Sequence, residues 1–376
     1  MDFLIKNGIV YDPSSHSAIK KDISLMDGVI ADPILGYNYR QEINAEGCIV
    51  TTGFIDYHVH YMRGASESGV QADTVSFCSG VTTAVDGGTA GVGLFEHAYR
   101  TFVSNSQVRF LNDLLVASGG QSNNKYPENL DPNLMDEKKI IEICDKYSDN
   151  IVGIKTRVSH GILEANTAVK SIERTVEIAE KVGKRVIVHV TDCPIPLDKV
   201  ADLLRPGDVI CHVYQGKDNT CLDKNGKVLE GLIKSKKRGI IFDACNGRSN
   251  FDIEICRSAI KQGFTPDVIS SDINSSSCFI QPLHSLPRII SKYMDFGMEW
   301  KDIIDCVTIN PAELIGMPEL GTMKKNTVAD VVILKLKEKD ISYTDIAGNH
   351  FIGHKIFVPQ MTFKDGECVY CQSDFA

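Results

Sequence analysis

The sequence predicts an α/β protein, a (β/α)8 TIM barrel carrying a small β-sandwich built from both chain termini. Three observations lead there. Eight short apolar runs recur between residues 53 and 272, and most are separated by helix-length amphipathic stretches. The first and last fifty residues instead read as short strands punctuated by turns. Residues able to bind metal stand at the end of one apolar run after another.

In chain order, "FLIKNGIVYD", "KKDISLMDGVIAD" and "YRQEINAEGCIVTTG" open the sequence as strands. Their "KNG", "MDG" and "AEG" supply the Asn, Asp and Gly that tight hairpins prefer. "ADVVILKLK" and "KIFVPQMTFKDGECVY" close it in the same manner, with "KDG" as a further turn. Residues 1–52 plus 323–376 are therefore expected to form the sandwich, and 53–322 the barrel. The eight barrel runs are "GFIDYH" (53–58), "VTTAVDG" (81–87), "VRFLNDLLVAS" (108–118), "NIVGIK" (150–155), "KRVIVHV" (184–190), "DVICHV" (208–213), "GIIFDA" (239–244) and "DVISSD" (267–272). Helical spacing marks 165–183, 250–264 and 284–297, the first stopped by Gly183.

With 43% hydrophobic and 24% charged residues, the 376-residue chain has an ordinary globular composition. A net charge of −9 argues against nucleic-acid binding, which needs a basic surface. No apolar stretch reaches membrane-spanning length. "MDFLIKNGIVYD" puts Asp2 and Lys6 where a secretory signal would carry a basic start and a long apolar run. The twelve cysteines are scattered, with "CVYC" (Cys368, Cys371) the one C-x-x-C spacing, and read as reduced thiols. A cytoplasmic protein acting on a small molecule, without nucleic-acid or membrane partners, is expected.

His58 and His60 flank one residue, so an extended strand turns both to one side. Lys155 closes the fourth run, His189 the fifth, His212 the sixth and Asp272 the eighth. The C-terminal strand ends of a barrel form one rim, so these six converge. Singly each has a plain explanation: a hydrogen-bonded core histidine for His189 or His212, a turn cap for Asp272. Lys155 is harder to explain, because burying an ammonium without a partner is costly. Together they point to metal. Imidazole and carboxylate suit Zn²⁺ and similar divalent ions. Four histidines and one carboxylate are thin for two ions, but a carbamate formed from Lys155 and CO₂ would add an anionic bridge. Two ions sharing a bridging hydroxide would also polarise a substrate carbonyl. Asp272 would be both ligand and proton carrier to the leaving group.

These motifs, with "GVTTAVDGGTAG", "VGIKTRVS", "DVICHVYQGKDN" and the tail "NPAELIGMPELGTMKKNTVADVVIL", resemble the amidohydrolase superfamily over nearly the whole chain. The resemblance is to its binuclear branch with a carboxylated lysine, and within it to dihydroorotase-like deacetylases. It implies that His58, His60 and Asp272 hold one metal, that His189 and His212 hold the other, and that Lys155 bridges them. It also implies a homo-oligomer.

Arg157, two residues past Lys155, is expected to face the same pocket and receive a substrate carboxylate. Gly88 and Thr89 in "DGGTAG" could bring backbone N–H groups to a ligand, and Tyr214 could line the rim. Arg63 stands three residues past His60, whereas dihydroorotases carry their substrate arginine two past, which argues against dihydroorotate. The resembled deacetylases have "GHG" after the seventh strand. This chain has Asn246 in the histidine's place, followed by Arg248, so the metal centre is expected to be kept while substrate preference shifts toward an anionic group near Arg248. The expected function is metal-dependent hydrolysis of an amide or ester bond in a small carboxylate-bearing N-acyl or O-acyl compound. The alternatives are a cyclic-amide hydrolase of the dihydroorotase or hydantoinase kind and a non-catalytic assembly protein.

Overall fold

The computed structural model describes residues 2–123, 125–278 and 285–375. Seven parallel strands follow one another around a curled sheet: Phe54–Val59, Val81–Asp86, Arg109–Leu115, Ile151–Arg157, Arg185–His189, Val209–Cys211 and Ile241–Asp243. The first two are buried at every position, as strands packed on both faces must be. Helices cover the outside, among them Ala165–Lys181 and Ile253–Lys261 inside the expected ranges. The expected helix 284–297 appears as Leu286–Asp295, and residue 284 lies outside the described residues.

The eighth run closes the barrel without forming a regular strand. Val268 bridges Asp243 and Ile273 bridges Val59, both in parallel. Backbone bonds run to it from Ala244, Asn246 and Gly247, and Asp272 N–H donates to the His58 carbonyl. Side chains take over further ladder positions: Asp56 accepts from Ser271 N–H at 2.9 Å, and Asp267 from Phe242 N–H at 2.9 Å. Asp272 adopts φ 51°, which breaks the extended conformation. The result is a barrel of seven regular strands and one irregular stave.

The terminal residues form two further sheets. One has the spatial order Val29–Ala31, Ile23–Met26, Phe3–Lys6, Gln41–Asn44. The other runs Glu367–Cys371, His350–Lys364, Val331–Thr344, Ile49–Thr52, Ile9–Asp12, Ser17–Lys20. An apolar cluster including Phe3, Leu25, Val50, Val331 and Phe363 draws on both, and Phe3 meets Phe363 edge to face at 5.1 Å. "MDG" and "KDG" make true hairpins, with Asp27, Gly28, Asp365 and Gly366 all at positive φ. "KNG" and "AEG" do not. They carry the chain from one sheet to the other, since Phe3–Lys6 pairs with 23–25 and 41–44 while Ile9–Asp12 pairs with 17–20 and 49–50. A Cβ on Gly8 would lie 2.6 Å from Val50, so this crossing needs a bare backbone. Among the described residues no helix is long and apolar enough to cross a membrane.

Lys292, on the helix Leu286–Asp295, is buried with its Nζ 3.5 Å from the centre of the Phe251 ring. Burial pushes its ammonium down to about 7. An unfolded lysine titrates near pH ~10.4, so between these values the unfolded chain holds the extra proton and stability rises with pH. Lys292→Met keeps the volume and removes the buried charge. It should raise stability by about 1–2 kcal/mol at neutral pH, part of the gain being offset by the lost ring contact. The gain should shrink toward pH ~10, as urea titrations across that range will show.

Candidate active site

The ends of the barrel strands meet at a cavity of about 460 Å³. His58, His60, Lys155, His189, His212 and Asp272 all line it. His58, His60 and Asp272 form a buried group, with one ligand atom of each within 4.8 Å of the others. His60 Nε2 lies 3.2 Å and His58 Nε2 4.0 Å from Asp272 Oδ1. The His189 and His212 rings stand 4.4 Å apart, and His212 is 5.4 Å from His58. Lys155 Nζ donates to Cys211 Sγ at 3.2 Å.

Neighbouring groups fix which nitrogen His60 and His212 offer. Thr89 Oγ1 donates to Asp86 Oδ2 at 3.0 Å, so it accepts from His60 Nδ1 at 2.7 Å and leaves Nε2 with its lone pair. His212 Nδ1 donates to the Cys245 carbonyl at 2.7 Å, freeing Nε2 likewise. Burial, then the Lys155 charge, pushes His58 down to about 4. Burial and His212 push His189 well below the usual imidazole range, which keeps both rings neutral and able to donate a lone pair. Burial opposes ionisation of Asp272, but a His60 that carries a second proton, on Nε2, donates to its Oδ1, and with the positive charge of His212 this outweighs burial and holds the carboxyl below its usual range.

Backbone geometry at the rim departs from extended strand where these side chains must turn. His212, Cys245 and Asp272 have φ of 65°, 30° and 51°. Such a conformation costs a non-glycine residue about 1–2 kcal/mol, and it recurs here at the strand ends around the cavity. At His212 it lets adjacent side chains share the barrel interior, with Cys211 in its apolar packing and His212 at the cavity. Gly87 and Gly88 make room: a Cβ on Gly87 would lie 2.2 Å from His58 Nε2, and one on Gly88 2.6 Å from Lys155 Cγ.

Of the expected substrate contacts, the structure brings Arg157 to the cavity wall and leaves the others off it. Gly88 packs under Lys155, and Thr89 orients His60. Tyr214 is buried with its hydroxyl donating to the Phe264 carbonyl at 2.8 Å. Asn246 is buried too, and its Nδ2 donates to Tyr293 OH at 3.1 Å, toward the helix Leu286–Asp295. Arg248 is exposed and donates to the Ser276 carbonyl at 2.9 Å, clipping one rim loop to another. The left-handed turns at Cys245 and Gly247 bring Asn250 into the cavity instead.

Asn250 Nδ2 donates to Asp272 Oδ2 at 2.7 Å, which holds Oδ1 toward the histidines. Sequence reading missed it because its position depends on that turn. Asn250→Ala should lower kcat by roughly 10–100-fold, the usual effect of removing a group that orients a ligand. Steady-state kinetics with an unchanged melting temperature will separate this from misfolding.

The fold and site can be set beside known proteins. The family profile described as "Amidohydrolase family" matches residues 49–369. A protein named Deacetylase from Agrobacterium fabrum is 28% identical over 333 residues, covering 88% of this chain and 81% of its own. A Deacetylase from Enterococcus faecalis is 25% identical over 371 residues, 97% of this chain and 98% of its own. Among solved structures, a dihydroorotase superposes with a TM-score of 0.88 at 26% identity, covering 99% of this chain and 98% of that one.

Proposed function

The chain belongs to the amidohydrolase family and is a hydrolase of C–N bonds, and on that premise we propose that it removes the acyl group from a small, carboxylate-bearing N-acyl compound. The observation that carries this reading is the convergence of His58, His60 and Asp272 in a largely polar-lined cavity that also holds Lys155 and Arg157. The two relatives named Deacetylase support removal of an acyl group over other hydrolyses.

The donor set suits two divalent ions such as Zn²⁺: His58, His60 and Asp272 would hold one, and His189 and His212 the other. Lys155 fits the bridge. It is buried, and its partner is a thiol rather than a carboxylate. Its neutral amine adds to CO₂ and loses one proton, giving a carbamate that turns a buried cation into an anionic ligand. When bound, the metals would supply Lewis acidity at the scissile carbonyl and a water made acidic enough to attack at neutral pH. Asp272 takes the proton from the attacking water and returns it to the leaving nitrogen. Its position beside His60 and under Asn250 suits both transfers.

Arg157 orients the substrate. Its Nη1 donates to Glu128, whose side chain is 7% exposed, while its buried Nε has no partner among the described residues. A substrate carboxylate would therefore meet a guanidinium already shared with an internal acid. Arg157→Lys loses the planar fork and should raise KM for an N-acyl amino acid about 10-fold or more with a smaller change in kcat. Glu128→Gln should lower KM by removing the competing charge.

The dihydroorotase likeness supports a second reading, hydrolysis of a cyclic amide. Parallel assays with N-acetyl amino acids and cyclic ureides test the choice. Turnover of the acyclic amides supports deacylation, and turnover of the ureides alone would replace it with the cyclic reading.

A further inference from the structure

A second group of ligand atoms shares two of the six residues and adds one outside them, Cys245. His58, His212 and Cys245 are all buried, and one donor atom of each lies within 4.8 Å of the others. We propose that Cys245 is a metal ligand of this centre, giving it one soft sulfur donor alongside its imidazoles. The inference rests on the metal-centre reading above and goes beyond it.

The geometry argues for a role beyond filling space. Cys245 follows the seventh barrel strand and takes φ 30°, a conformation a cysteine adopts at a cost. Two bonds secure it: its N–H donates to Asp243 Oδ1 at 2.9 Å, and its carbonyl accepts from His212 Nδ1 at 2.7 Å. The carbonyl thus turns His212 Nε2 inward, and that nitrogen stands 3.8 Å from the same residue's sulfur. One residue therefore orients the imidazole and presents a donor beside its free lone pair. A purely apolar filler at this point would need neither the strained backbone nor the sulfur facing a nitrogen. Ligation takes the thiolate, so the S–H proton passes to solvent as the sulfur–metal bond forms. Thiolate and imidazole together favour zinc over magnesium or calcium.

Cobalt(II) in place of the resident metal tests this by spectroscopy as well as by activity. The background is full-length protein with the exposed thiols removed (Cys78→Ser, Cys368→Ser, Cys371→Ser), stripped with chelator, loaded with cobalt and bicarbonate, and counted by elemental analysis. The expected result is a near-ultraviolet sulfur-to-cobalt charge-transfer band, lost in Cys245→Ser and kept in Cys211→Ser. Cobalt bound without that band, in a background that needs no core substitution, overturns Cys245 ligation and leaves the metal centre standing. A band that survives Cys245→Ser overturns it as well. Protein that takes up no cobalt overturns this inference and the metal-centre reading together.

Discussion

Asp272→Asn lowers kcat/KM by about 10³-fold or more while the protein stays folded. Both halves of that expectation come from the geometry. Asp272 Oδ1 faces His60 and His58, and Oδ2 accepts from Asn250. An amide has the same shape but carries no negative charge and takes up no proton near neutral pH. On the proposed reading the variant would therefore lose an anionic ligand and the proton carrier at once. The fold tolerates the change because asparagine accepts the left-handed conformation that Asp272 adopts with φ 51°. Steady-state kinetics and a thermal melt on the same preparation check the pair, and near-native turnover would remove Asp272 from the chemistry.

Lys155→Ala should be comparably severe for a different reason. The Lys155 side chain runs past Gly88 and ends against Cys211, buried, with no carboxylate bonded to its Nζ among the described residues. As a cation it would repel metals held by four imidazoles, and as a carbamate it would bind both. Removing it should weaken metal binding by at least about 10–100-fold and lower kcat/KM by about 10³-fold. Alanine also leaves a space that a small carboxylate can enter. Added acetate or propionate should restore part of the activity in Lys155→Ala but not in Lys155→Met, whose side chain fills the space. Equal activity of both variants with the wild type would mean that Lys155 is a structural residue.

Much of this site was legible because its signal is one of order along the chain. His58, His60, Lys155, His189, His212 and Asp272 each end an apolar run, and a parallel barrel puts all run ends on one rim. What lies within a few residues of those ends was not legible, because period-two reasoning assumes extended backbone. Positive φ at Cys245 and Gly247 sends Asn246 toward Tyr293 and brings Asn250 to Asp272. The same break at His212 precedes Tyr214, which turns into the barrel wall. Glu128 sits in the long connection after Leu115, where no periodicity announces a partner for Arg157. In the terminal sheets the strand positions were readable, but "KNG" gave no sign that it crosses between sheets. That choice depends on Val50 packing against Gly8, a contact between residues far apart in sequence.

The most direct test of the account is the number of divalent metal ions per chain in protein purified without chelator. About two equivalents of zinc or a similar ion, with activity that disappears on chelation and returns on reloading with metal and bicarbonate, is the predicted result. Protein that stays metal-free after reconstitution, or that turns over its substrate equally well without metal, would contradict it.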